Sequence, residues 1–120
     1  MRILFLDDME ERWRRFRQAN TGRLIDWAES AEAAINFLRE NSYDVISLDH
    51  DLEFEHYCSP VCDHKDGLCG MTVAEFIVEH PGPFEKSTIH VHTFNESAGQ
   101  EMIGKLRAAG LKADYRPFDY

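Results

Sequence analysis

The chain has 120 residues, enough for one domain with a sizeable core and too few for two ordinary ones. Its 43% hydrophobic and 12% aromatic content is globular in character, and no stretch approaches the roughly 18 consecutive apolar residues of a membrane span. A formal net charge of -9 argues against binding extended nucleic acid by counterion release, which needs a basic face.

The opening "MRILFLDD" sets two aspartates directly behind a short apolar run, where a signal peptide would carry a longer apolar core and a small-residue cleavage site. The expected location is the cytoplasm. Ile3 to Leu6 reads as a first strand, and Met9, Trp13 and Phe16 then recur at helical spacing. Within that helix "ERWRRFRQ" brings Arg12, Arg14, Arg15 and Arg17 together. Such a run is either a solvated face or a means of steering an anionic ligand.

"RLIDWA" is the second strand; "SAEAAINFLREN" follows as a helix capped by Ser30, with Ala31, Ala34, Ile35 and Leu38 on its apolar face. "DVISL" is the third strand. Beyond a long polar insert, "MTVAEFIVEH" carries Val73, Phe76 and Ile77 on one helical face until "PGP" stops it. "STIHVHTF" is rich in strand formers, "AGQEMIGKLRAAG" is a helix with Met102, Ile103 and Leu106 inward and Gly110 at its end, and "KADYRPF" closes as a short fifth strand. This alternation predicts a single α/β unit over residues 1–120, a parallel sheet with helices on both faces joined by right-handed crossovers.

Ligands of such sheets collect at the strand carboxyl ends. There stand Asp7 and Asp8, then Asp49, His50 and Asp51, then His92, Thr93 and Asn95, and finally Arg116. Asp7, Asp8, Asp49 and Asp51 are hard oxygen ligands whose charges repel unless a cation sits among them, which points to Mg²⁺ or Mn²⁺. The same acids would also serve a cation site inherited with the fold and without catalysis. His92 is placed to act as general acid or base, while His90, deeper in the strand, reads first as a core histidine satisfied by a hydrogen bond. Asn95, Ser97 and Gly99 begin a helix whose free N–H groups suit a phosphate, and capping by Asn95 or Ser97 is compatible with that.

The insert at 53–70 holds all three cysteines. Thiolate and imidazole select zinc where carboxylates select magnesium or manganese, so two sites are expected rather than one. Cys58, Cys62 and Cys69 supply three ligands, and His56 or His64 the fourth. A polar insert of this length carries little apolar surface, and bound metal is one way to order it.

Taken together, the acidic pair Asp7 and Asp8, the strand-terminal Asp49, Thr93 and the closing "RPF" with Arg116 resemble the receiver domain of bacterial response regulators. That resemblance implies a flavodoxin-like three-layer sandwich of five parallel strands in the order 2-1-3-4-5. Several features differ: the long Cys/His insert replaces a short Pro- and Gly-containing loop, arginine stands in the lysine position, and the chain stops where a last helix would follow. "LDHDL" with "HVHTFN" is more similar to a divergent branch, the cyclic-phosphate-processing receiver domains. This implies a metal-dependent phosphoesterase acting on a cyclic phosphate in a nucleotide, an RNA end or an ADP-ribose derivative. Asp49, His50, His92, Thr93 and Arg116 would then form the catalytic set, and the partner would be a small phosphorylated ligand or RNA end, with no membrane. Two other functions share these residues: a signalling receiver phosphorylated on Asp49, and a non-catalytic module that binds a cyclic nucleotide or a protein partner.

Overall fold

The computed structural model describes residues 1–49, 70–93 and 95–116. Five strands form one parallel sheet: β1 (Arg2–Leu6), β2 (Leu24–Ala28), β3 (Val45–Leu48), β4 (Thr88–Val91) and β5 (Lys112–Tyr115). Their order is β2-β1-β3-β4-β5, the order that the receiver resemblance implies. Among the described residues four helices connect them, α1 (Glu10–Ala19), α2 (Ala31–Glu40), α3 (Gly70–Glu79) and α4 (Glu96–Ala108), with a 3₁₀ turn at Gly82–Phe84 where "PGP" ends α3. Residues 53–69 of the expected insert, with its candidate zinc ligands, lie outside the described residues; Gly70 already belongs to α3.

The central strand explains the layering. Ile3, Leu4, Phe5 and Leu6 of β1 are all buried, as a strand covered on both faces requires. Alternate residues serve different cores. Leu4, Leu6, Ile46, Leu48, Ile89, Val91 and Ala113 face the large core, where α2, α3 and α4 contribute Ala34, Leu38, Val73, Ile77, Met102 and Leu106. Each fully buried leucine or isoleucine there stabilises by about 1.5–3 kcal/mol relative to exposure. Ile3 and Phe5 point the other way, onto Phe16 of α1 with Trp13, Ile25, Trp27 and Val45 around them.

Both faces are therefore covered, but unequally. Among the described residues α1 is the helix on the second face, and beyond its reach that face turns polar. Thr88 and His90 are half-buried there, and Lys112 and Asp114 are exposed. No described helix is long and apolar enough to cross a membrane.

Local signals position the helices. Ser30 accepts a hydrogen bond from Ala33 N at 3.1 Å, and Asn95 accepts one from Ala98 N at 3.2 Å, the caps of α2 and α4. α1 lacks a side-chain cap, but Glu10 and Glu11 in its first turn favour the positive helix end. Gly110, with φ of 84°, makes the left-handed turn that carries α4 into β5.

Candidate functional site

Strand register assembles the site. Leu6 lies level with Leu48, and Leu48 with Val91. The next residue on each strand is Asp7, Asp49 and His92. The ladder continues through them: Asp49 N donates to Leu6 O at 3.0 Å and His92 N to Leu48 O at 2.9 Å. The three side chains thus form a row on the α1 side of the sheet. With the order β2-β1-β3, the row straddles the point where connections from β1 and β3 leave in opposite directions, the usual ligand crevice of such sheets.

All three are buried, and one ligand atom from each falls within 4.8 Å of the other two. Asp7 Oδ1 accepts from Met9 N at 2.9 Å, which bends the chain into α1. Asp7 Oδ2 meets His92 Nε2 at 3.1 Å. Arg12 returns from α1 with Nη1 3.5 Å from Asp7 Oδ2 and 3.5 Å from Asp49 Oδ2. On the far side of the imidazole, Ser47 Oγ lies 2.7 Å from His92 Nδ1. Phe5 stacks on the ring at 4.8 Å between centroids, and Phe16 stacks on Phe5 at 4.2 Å.

Burial lowers the His92 pKa from its ordinary 6.5 more than the Asp7 carboxylate raises it, and Arg12 adds to the lowering. The imidazole is therefore neutral. Opposite a carboxylate a neutral ring donates Nε2–H to Asp7 and accepts the Ser47 hydroxyl proton at Nδ1. Because a hydroxyl both donates and accepts, Ser47 also supports the other tautomer, with Nδ1–H donated to Ser47 and the Nε2 lone pair exposed.

The row also suits a metal ion. Bonds of roughly 2.0–2.6 Å place the ligand atoms of one hard cation within about 5 Å of one another. Two buried carboxylates side by side repel one another, which favours a cation between them. Asp7 and Asp49 would hold the ion through oxygen, which leaves the neighbouring His92 Nε2 for proton transfer.

The other residues singled out in the sequence fall around this row. Asp8 is half-buried beside Asp7, its Oδ1 shielded from solvent. Thr93 is buried and its Oγ1 accepts from Asn95 N at 3.1 Å, leaving the hydroxyl proton to be donated elsewhere. Asn95 is the α4 cap, and Ser97 is exposed in the first turn of α4. Gly99 is buried under the Tyr115 ring: an added Cβ would stand 2.8 Å from Tyr115 Cε1 and 3.1 Å from Thr93 Cγ2. Arg116 is exposed after β5, where its backbone N donates to Val91 O at 2.8 Å. With Ile3, Phe16, Arg23, Val45 and His90 it borders an open groove of about 320 Å³ on the α1 side of the sheet. His50, Asp51, His56, Cys58, Cys62, His64 and Cys69 lie outside the described residues.

Two members of the site were not singled out in the sequence, Arg12 as an inward residue and Ser47. Arg12 had a signal: it stands four residues before Phe16, on the stripe of α1 that turns to the sheet. Ser47 has none, being a small polar residue inside an apolar strand.

Comparison with known proteins follows this geometry. Residues 2–108 match the family described as the Cyclic-phosphate processing Receiver domain. Among solved structures the fold is similar to a CheY-like response regulator receiver domain protein from Methanospirillum hungatei JF-1, with TM-score 0.68, 18% identity and coverage of 99% of this chain and 82% of that one. A two-component response regulator from Clostridium difficile gives 0.65 at 22% identity, covering 100% and 84%. The response regulator TrrA from Thermotoga maritima, solved in complex with Mg²⁺-BeF, gives 0.65 at 21% identity, covering 98% and 88%. No curated protein matches. With a buried Asp-Asp-His row at the switch point of a 2-1-3-4-5 sheet, and a family match over residues 2–108, the chain belongs to the cyclic-phosphate-processing receiver domains.

Proposed function

We propose that the chain is a metal-dependent phosphoesterase that opens a cyclic phosphate carried by a nucleotide, an RNA end or an ADP-ribose derivative. The observation that carries this reading is His92. A phosphoacceptor site needs an aspartate, a hydroxyl and a cation; an imidazole at the end of the row, beside the acids, adds a group that can take and return a proton.

Bound to Asp7 and Asp49, Mg²⁺ or Mn²⁺ would supply charge to polarise a phosphoryl oxygen and acidify a water. The chain's own residues do the rest. With Nδ1–H turned to Ser47, His92 Nε2 takes a proton from the attacking water. The water oxygen bonds to phosphorus, the bond to one ring oxygen breaks, and the imidazolium, steadied by Asp7, returns the proton to that oxygen. The product is a phosphomonoester beside a free hydroxyl. The Thr93 hydroxyl and Arg116 contribute a donor and a positive charge for the phosphoryl oxygens. Asp8 and, from the sequence, His50 and Asp51 are further members, while Cys58, Cys62, Cys69 and His64 are proposed as a separate zinc site.

The test is turnover of 2′,3′-cyclic nucleotides and ADP-ribose 1″,2″-cyclic phosphate with Mg²⁺ or Mn²⁺. His92→Gln is expected to lower kcat by about 10²–10⁴-fold, and Asp49→Asn to abolish turnover. A folded, metal-loaded protein that turns over none of these overturns the reading.

One observation favours a second function: Asp49 and Thr93 end adjacent strands of a receiver fold. Covalent labelling by acetyl phosphate, absent in Asp49→Asn, would support signalling instead.

A further inference from the structure

The four arginines of α1 have divided fates. Arg14 pairs with Glu10 at 2.8 Å and Arg15 with Glu11 at 3.0 Å, both one turn apart on the exposed face. Arg17 lies over the Trp13 ring at 6.0 Å. Arg12 turns inward, its side chain only 17% exposed, and straddles Asp7 Oδ2 and Asp49 Oδ2 at equal distance.

We propose that Arg12 is the resident cation of this site, a guanidinium that competes with a divalent ion for the same two carboxylate oxygens and so sets the affinity of the site for metal. The inference rests on the metal-dependent reading above.

Three observations carry it. The contacts coincide with the metal position: Asp7 and Asp49 are two of the three groups whose ligand atoms converge, and Arg12 touches both. The contacts are also long. At 3.5 Å each lies beyond the usual 2.7–2.9 Å of a charge-assisted hydrogen bond, so the attraction to these two oxygens is mainly Coulombic. Finally, the two cations differ in charge: a guanidinium carries one positive charge and a divalent ion two, so the pair of carboxylates attracts the ion more strongly. An ion bonded to both oxygens repels a guanidinium held on those same oxygens.

The measurement is Mn²⁺ affinity, read by the loss of the free-ion electron paramagnetic resonance signal, in the wild type, Arg12→Gln and Arg12→Lys. Arg12→Gln is expected to bind Mn²⁺ at least about tenfold more tightly, with Arg12→Lys close to the wild type. Unchanged or weaker binding by folded Arg12→Gln overturns the proposal. A readout that needs no variant is the Arg12 Nε–Hε nuclear magnetic resonance signal of the wild type. It should shift in proportion to site occupancy as Mg²⁺ is added, and a signal unmoved at saturation overturns the proposal. Tighter Mn²⁺ binding by Arg12→Gln without turnover of any cyclic phosphate supports Arg12 as competitor and sinks the phosphoesterase reading alone. No Mn²⁺ binding by either protein sinks both.

Discussion

Single side chains at the two ends of the sheet carry opposite kinds of polar burial. At the amino end, Tyr43 donates to Asp26 Oδ2 at 2.6 Å, and Arg2 donates to the same oxygen at 2.9 Å, so this half-buried acid has two close donors. At the carboxyl end Asp7 and Asp49 lie side by side with Arg12 3.5 Å from an oxygen of each. The first arrangement is structural and its pH dependence can be worked out. Burial, reinforced by Asp26, raises the Tyr43 pKa above its ordinary 10.0, with Arg2 opposing. The unfolded chain therefore ionises this tyrosine first. Its contribution to stability is complete below pH 10 and is lost as pH rises towards the folded value. In urea denaturation, Tyr43→Phe is expected to cost about 1.5 kcal/mol at pH 7, and the gap from wild type should narrow by pH 10.5. A gap that stays constant would mean that the hydroxyl proton is not held by the fold.

Secondary-structure elements meet the site through packing as well as ligands. α4 approaches β5 closely because Gly99 leaves room for the Tyr115 ring, whose hydroxyl donates to Thr93 O at 2.8 Å. Gly99→Ala should destabilise by about 1–3 kcal/mol through overpacking, and the cost should shrink in a Tyr115→Ala background, as expected of two residues in contact. Equal costs in both backgrounds would place the penalty elsewhere. Much of the element order was legible in the sequence because apolar periodicity reports local structure: Ile3 to Leu6, "DVISL" and "STIHVHTF" declare strands, and Ser30 declares a cap. The row of Asp7, Asp49 and His92 was legible only in part. That each ends a strand follows from the sequence; that they stand level follows from register, which depends on pairing between distant segments. Arg12 was obscured for a related reason. In the sequence it is one of four arginines, set apart from Arg14, Arg15 and Arg17 by its i,i+4 spacing to Phe16, a signal that gains meaning once α1 docks on Phe5.

At the scale of the molecule, the asymmetric sandwich puts most of the apolar core on one side of the sheet and the site on the other. Loading the site should then stabilise the whole fold by mass action without repacking the main core. Mn²⁺ at about 100 times its Kd is expected to add about 2.7 kcal/mol, seen as a raised thermal midpoint in the wild type and no shift in Asp49→Asn. A net charge of -9 works in the same direction, since self-repulsion favours any state that takes up cations.

The chain has two tryptophans, and both stand beside the site. Trp27 donates its indole Nε1–H to the Asp7 carbonyl at 2.8 Å, and Trp13 stacks on Trp27 at 5.2 Å between ring centroids. Neither lies in the large core. The tryptophan emission of the protein, excited selectively at the red edge, therefore comes from two stacked rings, one hydrogen-bonded to Asp7, which makes the molecule its own optical reporter: a ligand that shifts the Asp7 peptide is expected to register in fluorescence without a label.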